Sequence, residues 1–171
     1  MTLDFTEAFG GVHYNNRTIT LVFLSLESWD DQMEQDSTVK NALHGRKMNV
    51  IFSDDPDYYW IGRIVVGDWE YYKGAGRVTV TIDAEPYKYK ATETTVTQSG
   101  NGTATLSNSR MAVVPYVSAS AAATFAWDGN SVSISAGNNQ LIPQLVLEQG
   151  DTEITVTTSG TVTFKYREGS L

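Results

Sequence analysis

Four stretches of the chain alternate apolar and polar side chains with a period of two. Ile19, Leu21 and Phe23 share one parity, with Thr18 and Thr20 on the other, and Val78, Val80 and Ile82 are interleaved with Thr79, Thr81 and Asp83. The pattern returns as Ile154 with Val156, and as Val162 with Phe164 and Tyr166. An extended strand sends successive side chains to opposite faces, whereas a helix would scatter these residues around its axis. Each stretch is therefore expected as a strand with one face in a core, the first of them central in its sheet. A slip of one residue in the last two would put all five of their apolar side chains in water.

Turn chemistry places the remaining elements. Met48 to Phe52 and Trp60 to Val66 are apolar runs of strand length, and Ser53-Asp54-Asp55-Pro56-Asp57 between them predicts the turn of a hairpin. Asp128-Gly129-Asn130, between Ala123–Trp127 and Ser131–Ser135, predicts a second hairpin, and Ser159-Gly160, between Ile154–Thr158 and Thr161–Tyr166, a third. Pro86 cannot donate to a ladder and ends the strand that contains Val78 to Ile82. From Asp36 the period changes. Val39, Ala42 and Leu43 fall at helical spacing, with Asp36 or Ser37 as N-cap and Gly45 as the left-handed stop, which predicts one short helix. Lys90 to Gly102 is polar with little to bury, so the domain boundary is expected within it. The fold class expected is mainly β: two β-sandwich-like domains, residues 1–92 with the helix and residues 100–171 as a smaller sandwich.

With 171 residues and 41% apolar content the chain can bury a substantial core. Its formal charge of −8 argues against a cationic surface for phosphate backbones, so no nucleic-acid binding is expected. Without cysteine there is no disulfide framework and no thiolate metal site. The first twenty residues lack a basic start followed by an apolar core, and no run approaches the roughly 18 apolar residues that span a bilayer. A chain without a signal peptide and without membrane insertion is expected. Asn16-Arg17-Thr18 and Asn101-Gly102-Thr103 match the glycosylation tripeptide, but read as a strand entry and a turn.

No arrangement of residues supports catalysis or a cofactor. His13 and His44 have no metal-ligand spacing, and His44, one residue before the glycine stop, is expected to bond the last helix carbonyls. Asp54, Asp55 and Asp57 lack the glycine and the bidentate glutamate of a calcium loop, and read as a solvated turn. Gly74-Ala75-Gly76 lacks the Lys-Ser/Thr of a phosphate loop and reads as a turn between strands. Aromatic residues are the sharper signal. Tyr58, Tyr59, Trp60, Trp69, Tyr71 and Tyr72 crowd one region, with Tyr59 facing away from Tyr58 and Trp60 in a strand and one set expected in the core. Tyr58, Trp60, Trp69, Tyr71 and Trp127 are the candidates for a protein interface or for stacking on sugar.

Five blocks in order carry a family resemblance: Leu3-Asp4-Phe5-Thr6-Glu7 with Gly10-Gly11, Tyr14-Asn15-Asn16-Arg17, Leu43-His44-Gly45, Asp54 through Arg63, and Glu85-Pro86-Tyr87-Lys88. In this order they resemble the distal tail proteins of long, non-contractile-tailed phages of Gram-positive hosts. The resemblance implies that residues 3–89 are a ring-forming domain and residues 100–171 a galectin-like domain ending in Phe164-Lys165-Tyr166-Arg167-Glu168-Gly169. It also implies a non-catalytic virion component, assembled in the host cytoplasm as a hexameric ring that joins the tail tube to tail-tip or receptor-binding proteins. Measured against that family the chain starts almost on its first block, which implies that the first strands of the ring domain are missing. The rival reading is a carbohydrate-binding module in which Trp127 or Tyr116 stacks on a sugar. It requires an exposed aromatic on a sheet face with polar groups around it.

Overall fold

The computed structural model describes residues 14–26, 29–72 and 75–171, apart from the side chains of Trp29, Tyr71 and Tyr72. In chain order the elements are β1 (Arg17–Ser25), α1 (Trp29–Leu43), β2 (Lys47–Phe52), β3 (Asp55–Val66), β4 (Glu70–Tyr72), β5 (Ala75–Ala84), β6 (Lys88–Lys90), β7 (Thr94–Ser99) and β8 (Gly102–Asn108). They continue as β9 (Tyr116–Ala119), β10 (Ala123–Trp127), β11 (Asn130–Ile134), β12 (Gly137–Leu141), β13 (Gly150–Thr158), β14 (Thr161–Tyr166) and β15 (Gly169–Ser170). The protein is mainly β, with one helix among the described residues. It divides into two units, Met1–Ile51 with Trp60–Tyr87, and Phe52–Tyr59 with Lys88–Leu171.

In the first unit β5 is the central strand. It pairs with β1 along one edge and with β3 and β4 along the other, all antiparallel. The alternation read from the sequence sets the core: Val78, Val80, Ile82 and Ala84 of β5 are buried together with Ile64 and Val66 of β3. Two expectations are corrected here. β1 is not central: among the described residues it pairs with β5 alone, at the end of the strand order. Ile19 and Leu21 are half-buried opposite Ile82 and Val80, but Phe23, opposite Val78, is 52% exposed. Period two identifies a strand's faces and is silent about its two edges.

The helix is longer than its apolar spacing predicts. It begins at Trp29, and Asp36 and Ser37 lie inside it. Its first turn carries Asp30 and Asp31 and its last turn Lys40, an arrangement that complements the helix dipole. Asp36 pairs with Lys40 one turn on at 3.0 Å, and Lys40 also reaches Asp68 at 2.8 Å. The one fully buried side chain described on the helix is Gln32, so an apolar stripe could not reveal its N-terminal half. Gly45 ends the helix at φ +78° as predicted. The helix carbonyl of Asn41 accepts from the Arg46 guanidinium at 3.2 Å, whereas the His44 ring accepts the Val66 N–H at 3.2 Å. His44 thus ties the helix end to β3 instead of capping the helix.

The second unit contains a sandwich of two four-stranded antiparallel sheets, ordered β11-β10-β13-β8 and β12-β9-β14-β7. Their inner faces meet through Leu106, Phe125, Ile154 and Val156 on one side and Val117, Val162 and Phe164 on the other. Phe125 and Phe164 pack edge to face with centroids 5.6 Å apart. Ile142, Leu145 and Leu147, after β12, complete the core. The β10–β11 hairpin turns through Asp128 at φ +43° and Gly129 at φ +77°, the two left-handed positions of a type I′ turn. The third predicted hairpin is corrected: β13 and β14 belong to different sheets, so Ser159-Gly160 carries the chain across the sandwich. The polar stretch from Lys90 to Gly102 is also structured. It holds β7, which pairs along its length with β14 and presents Val96 to the core between outward threonines.

The N-terminal end of β3 belongs to this unit as well. Tyr58 and Tyr59 pair with Lys90 and Tyr89 of β6, which in turn pairs with β15. The predicted acidic turn is therefore shorter than expected. Only Ser53 and Asp54 turn, and the strand already runs through Asp55, Pro56 and Asp57.

Candidate functional site

The aromatic run of β3 is held from several sides by cations. In the second unit, the Lys88 ammonium lies 4.6 Å from the Tyr58 ring centroid and pairs with the Asp55 carboxylate. Tyr59 stacks on Tyr89 with centroids 5.8 Å apart, and the Arg167 guanidinium lies 6.0 Å from its ring. In the first unit, the Arg17 guanidinium sits 4.8 Å from the Trp60 centroid. All three rings are half-buried. Each ring is neither buried core nor a bare platform but has a cation beside it, a contact worth about 0.5–1 kcal/mol when partly exposed.

The other aromatic candidates separate. Trp69 is half-buried, and its indole N–H has no acceptor among the described residues. The side chain of Tyr71 lies outside the described residues, as do His13, the Leu3–Glu7 block, Gly10-Gly11 and Gly74. Trp127 is 6% exposed and packs in the sandwich core, so its ring is not presented to solvent. Tyr116, by contrast, is 49% exposed on the outer face of β9.

Sequence reading did not single out Glu168. Its carboxylate accepts from the Lys90 ammonium at 2.7 Å, from the Ser109 N–H at 2.9 Å and from the Thr94 hydroxyl at 3.4 Å. Burial pushes its carboxyl up, but the bonds from Lys90 and Ser109 outweigh it and hold the group below the usual carboxylate range. The same bond to Glu168 raises Lys90 above the ordinary lysine value. Nearby, the Asn108 amide donates to the carbonyls of Met111 and Leu147 at 2.7 and 2.8 Å, and the Tyr166 hydroxyl donates to the Ser107 carbonyl at 2.6 Å. These bonds tie the end of β8 to the segments that precede β9 and β13 and to the end of β14. The only sequence signal for the node was the Arg167-Glu168-Gly169 tail, which carries no chemical pattern of its own.

Among the described residues no group of three or more His, Asp or Glu side chains gathers in metal-binding geometry. His44 is committed to the Val66 backbone. What the first unit does present is apolar surface. Val22 at 57% and Leu24 at 66% exposure project from the outer face of the edge strand β1, with Ile51 of β2 and Val65 of β3 also exposed. Exposed apolar side chains of this kind suit contact between surfaces.

No family model and no curated protein matches the chain. Among solved structures, SPP1 Dit superposes with a TM-score of 0.64 at 18% identity, covering 91% of this chain and 79% of that one. The chain has the fold of SPP1 Dit. SPP1 Dit is described as a paradigm of the hub adsorption apparatus in phages that infect Gram-positive hosts. The likeness to Dit extends over nearly all of the sequence.

Proposed function

We propose that the chain is a non-catalytic structural protein of a phage tail tip, acting as a hub between the tail tube and the tail-tip or receptor-binding proteins. The observation that carries this is the superposition on SPP1 Dit across 91% of the chain. In this reading residues 1–92 form the ring domain, residues 100–171 are the galectin-like domain, and the protein resides in the virion tail. Copies assemble into a hexameric ring, a closed heterologous arrangement in which one surface of each copy meets a different surface of the next. The exposed apolar side chains of β1, β2 and β3 provide surface for such contacts. The sugar-binding alternative loses one of its two aromatic residues, because Trp127 is core.

Mass measurement of the purified chain by light scattering, with particle imaging, tests the assembly. Six-fold rings are expected. A monomer at every accessible concentration, unchanged by adding tail-tube or tail-tip proteins, would remove the hub reading.

A further inference from the structure

Tyr116 is the one exposed aromatic of the sandwich faces, and its surroundings are organised. In the sheet β12-β9-β14-β7 it stands directly opposite Lys165 of β14 on one side and Leu141 of β12 on the other. Lys165 is in turn opposite Thr95 of β7, so one continuous row crosses all four strands. The next row outward carries hydroxyls: Thr97 and Thr163 lie 3.4 Å apart, and Ser118 follows on β9. Around Tyr116 is an open cavity of about 460 Å³ lined by Glu93, Tyr116, Asn139 and Lys165. That volume falls within the roughly 300–1,000 Å³ of small-molecule sites.

Asn139 reaches this place through a local irregularity. The pairing of β12 with β9 shifts register between Gly137 and Gln140, and Asn139 itself has φ +49°, a left-handed conformation that asparagine tolerates better than most residues. Its N–H donates to the Ser118 hydroxyl at 3.0 Å, which fixes the irregular strand. Bulges of this type re-aim side chains beside binding sites. Lys165 and Glu93 stand 3.9 Å apart and offset each other's charge. The cavity therefore offers a flat ring, an amide, a carboxylate and an ammonium, with no net charge on its lining.

We propose that this face binds a neutral oligosaccharide, one pyranose ring lying on Tyr116 with its hydroxyls bonded by Asn139, Glu93 and Lys165. A pyranose has an apolar C–H face that suits an aromatic ring, and equatorial hydroxyls that need both donors and acceptors at the rim. An anionic polymer is disfavoured, since the only cation of the site is already paired and the whole chain carries −8. The site does not depend on the hub assignment.

The test is titration of the full chain, isotopically labelled, with maltotetraose, cellotetraose and tetra-N-acetylchitotetraose at millimolar concentrations, followed by backbone amide shifts. At least one sugar is expected to shift amides of Tyr116, Asn139 and Lys165 together. Tyr116→Ala should weaken that binding about tenfold while Tyr116→Phe preserves it. Asn139→Gly, which keeps the left-handed backbone but removes the amide, should weaken it several-fold, and the amide spectrum of each variant reports its folding. Absence of shifts with all three sugars overturns the proposal. Shifts that map elsewhere, or binding indifferent to both Tyr116→Ala and Asn139→Gly, overturn it equally.

Discussion

Glu168 shows how much one side chain can organise. Its two oxygens join β6, the start of β7 and the loop after β8, so its loss frees three donors at once. Glu168→Gln is expected to lower stability at neutral pH by about 1–3 kcal/mol in denaturant titration. The pH dependence has a definite sign. Glu168 titrates lower when folded than unfolded, so its contribution is complete above the ordinary carboxylate range and drains away as pH falls through the folded value. Lys90, raised when folded, contributes fully below the ordinary lysine range and loses that contribution as pH climbs through its folded value. The gap between wild type and Glu168→Gln should therefore close in acid; a constant gap would mean that the ion pair is not what stabilises. Gly62 is a second sensitive position. A Cβ there would lie 2.5 Å from Ile82 Cγ2 and 2.9 Å from the Asp83 carbonyl oxygen, so Gly62→Ala should cost about 1–3 kcal/mol through displacement of β3 from β5. Thermal unfolding of that variant against wild type measures it.

Among the elements, β1 and β10 are expected to respond in opposite ways to substitution. Val22 and Leu24 on β1 face outward and contribute little to the core, so changing both to lysine should shift unfolding free energy by no more than about 0.5 kcal/mol per site. The same pair of changes is expected to abolish ring formation in light scattering, if β1 contributes to the assembly. Phe125 of β10 is fully buried against Phe164, and Phe125→Ala should cost about 3–5 kcal/mol in denaturant unfolding. Elements such as β5 and β14 were legible in the sequence because burial on one face left a strict alternation. β7 was hidden because its inward side holds one apolar residue, Val96, between Thr94 and Gln98. The first half of α1 was hidden because the side chain it buries is Gln32, a polar residue outside any apolar pattern. Sheet membership was hidden for a different reason: local turn chemistry at Ser159-Gly160 is the same whether the next strand pairs beside its predecessor or crosses to the opposite layer. For the candidate sites, the aromatic residues were visible, but their cationic partners Arg17, Lys88 and Arg167 come from distant segments. Tyr116 and Trp127 could be told apart only by the register of their strands.

At the scale of the whole molecule, the distribution of buried side chains predicts where the native state opens. β13 and β14 each have paired neighbours on both sides and inward residues fully buried, whereas β1, among the described residues, is paired on one side and carries exposed apolar side chains. Hydrogen exchange should therefore be slowest at Ile154, Val156, Val162 and Phe164, and much faster along β1. Equal protection in both places would contradict this picture of the core. The crossing at Ser159-Gly160 also sets a schedule for synthesis. In its own sheet β7 pairs only with β14, across more than sixty intervening residues, and β9 needs β14 to be joined to it. A nascent chain stalled before Thr161 would carry β7 with nothing to bind in that layer, so the sandwich can close only after residues 161–166 have cleared the ribosome.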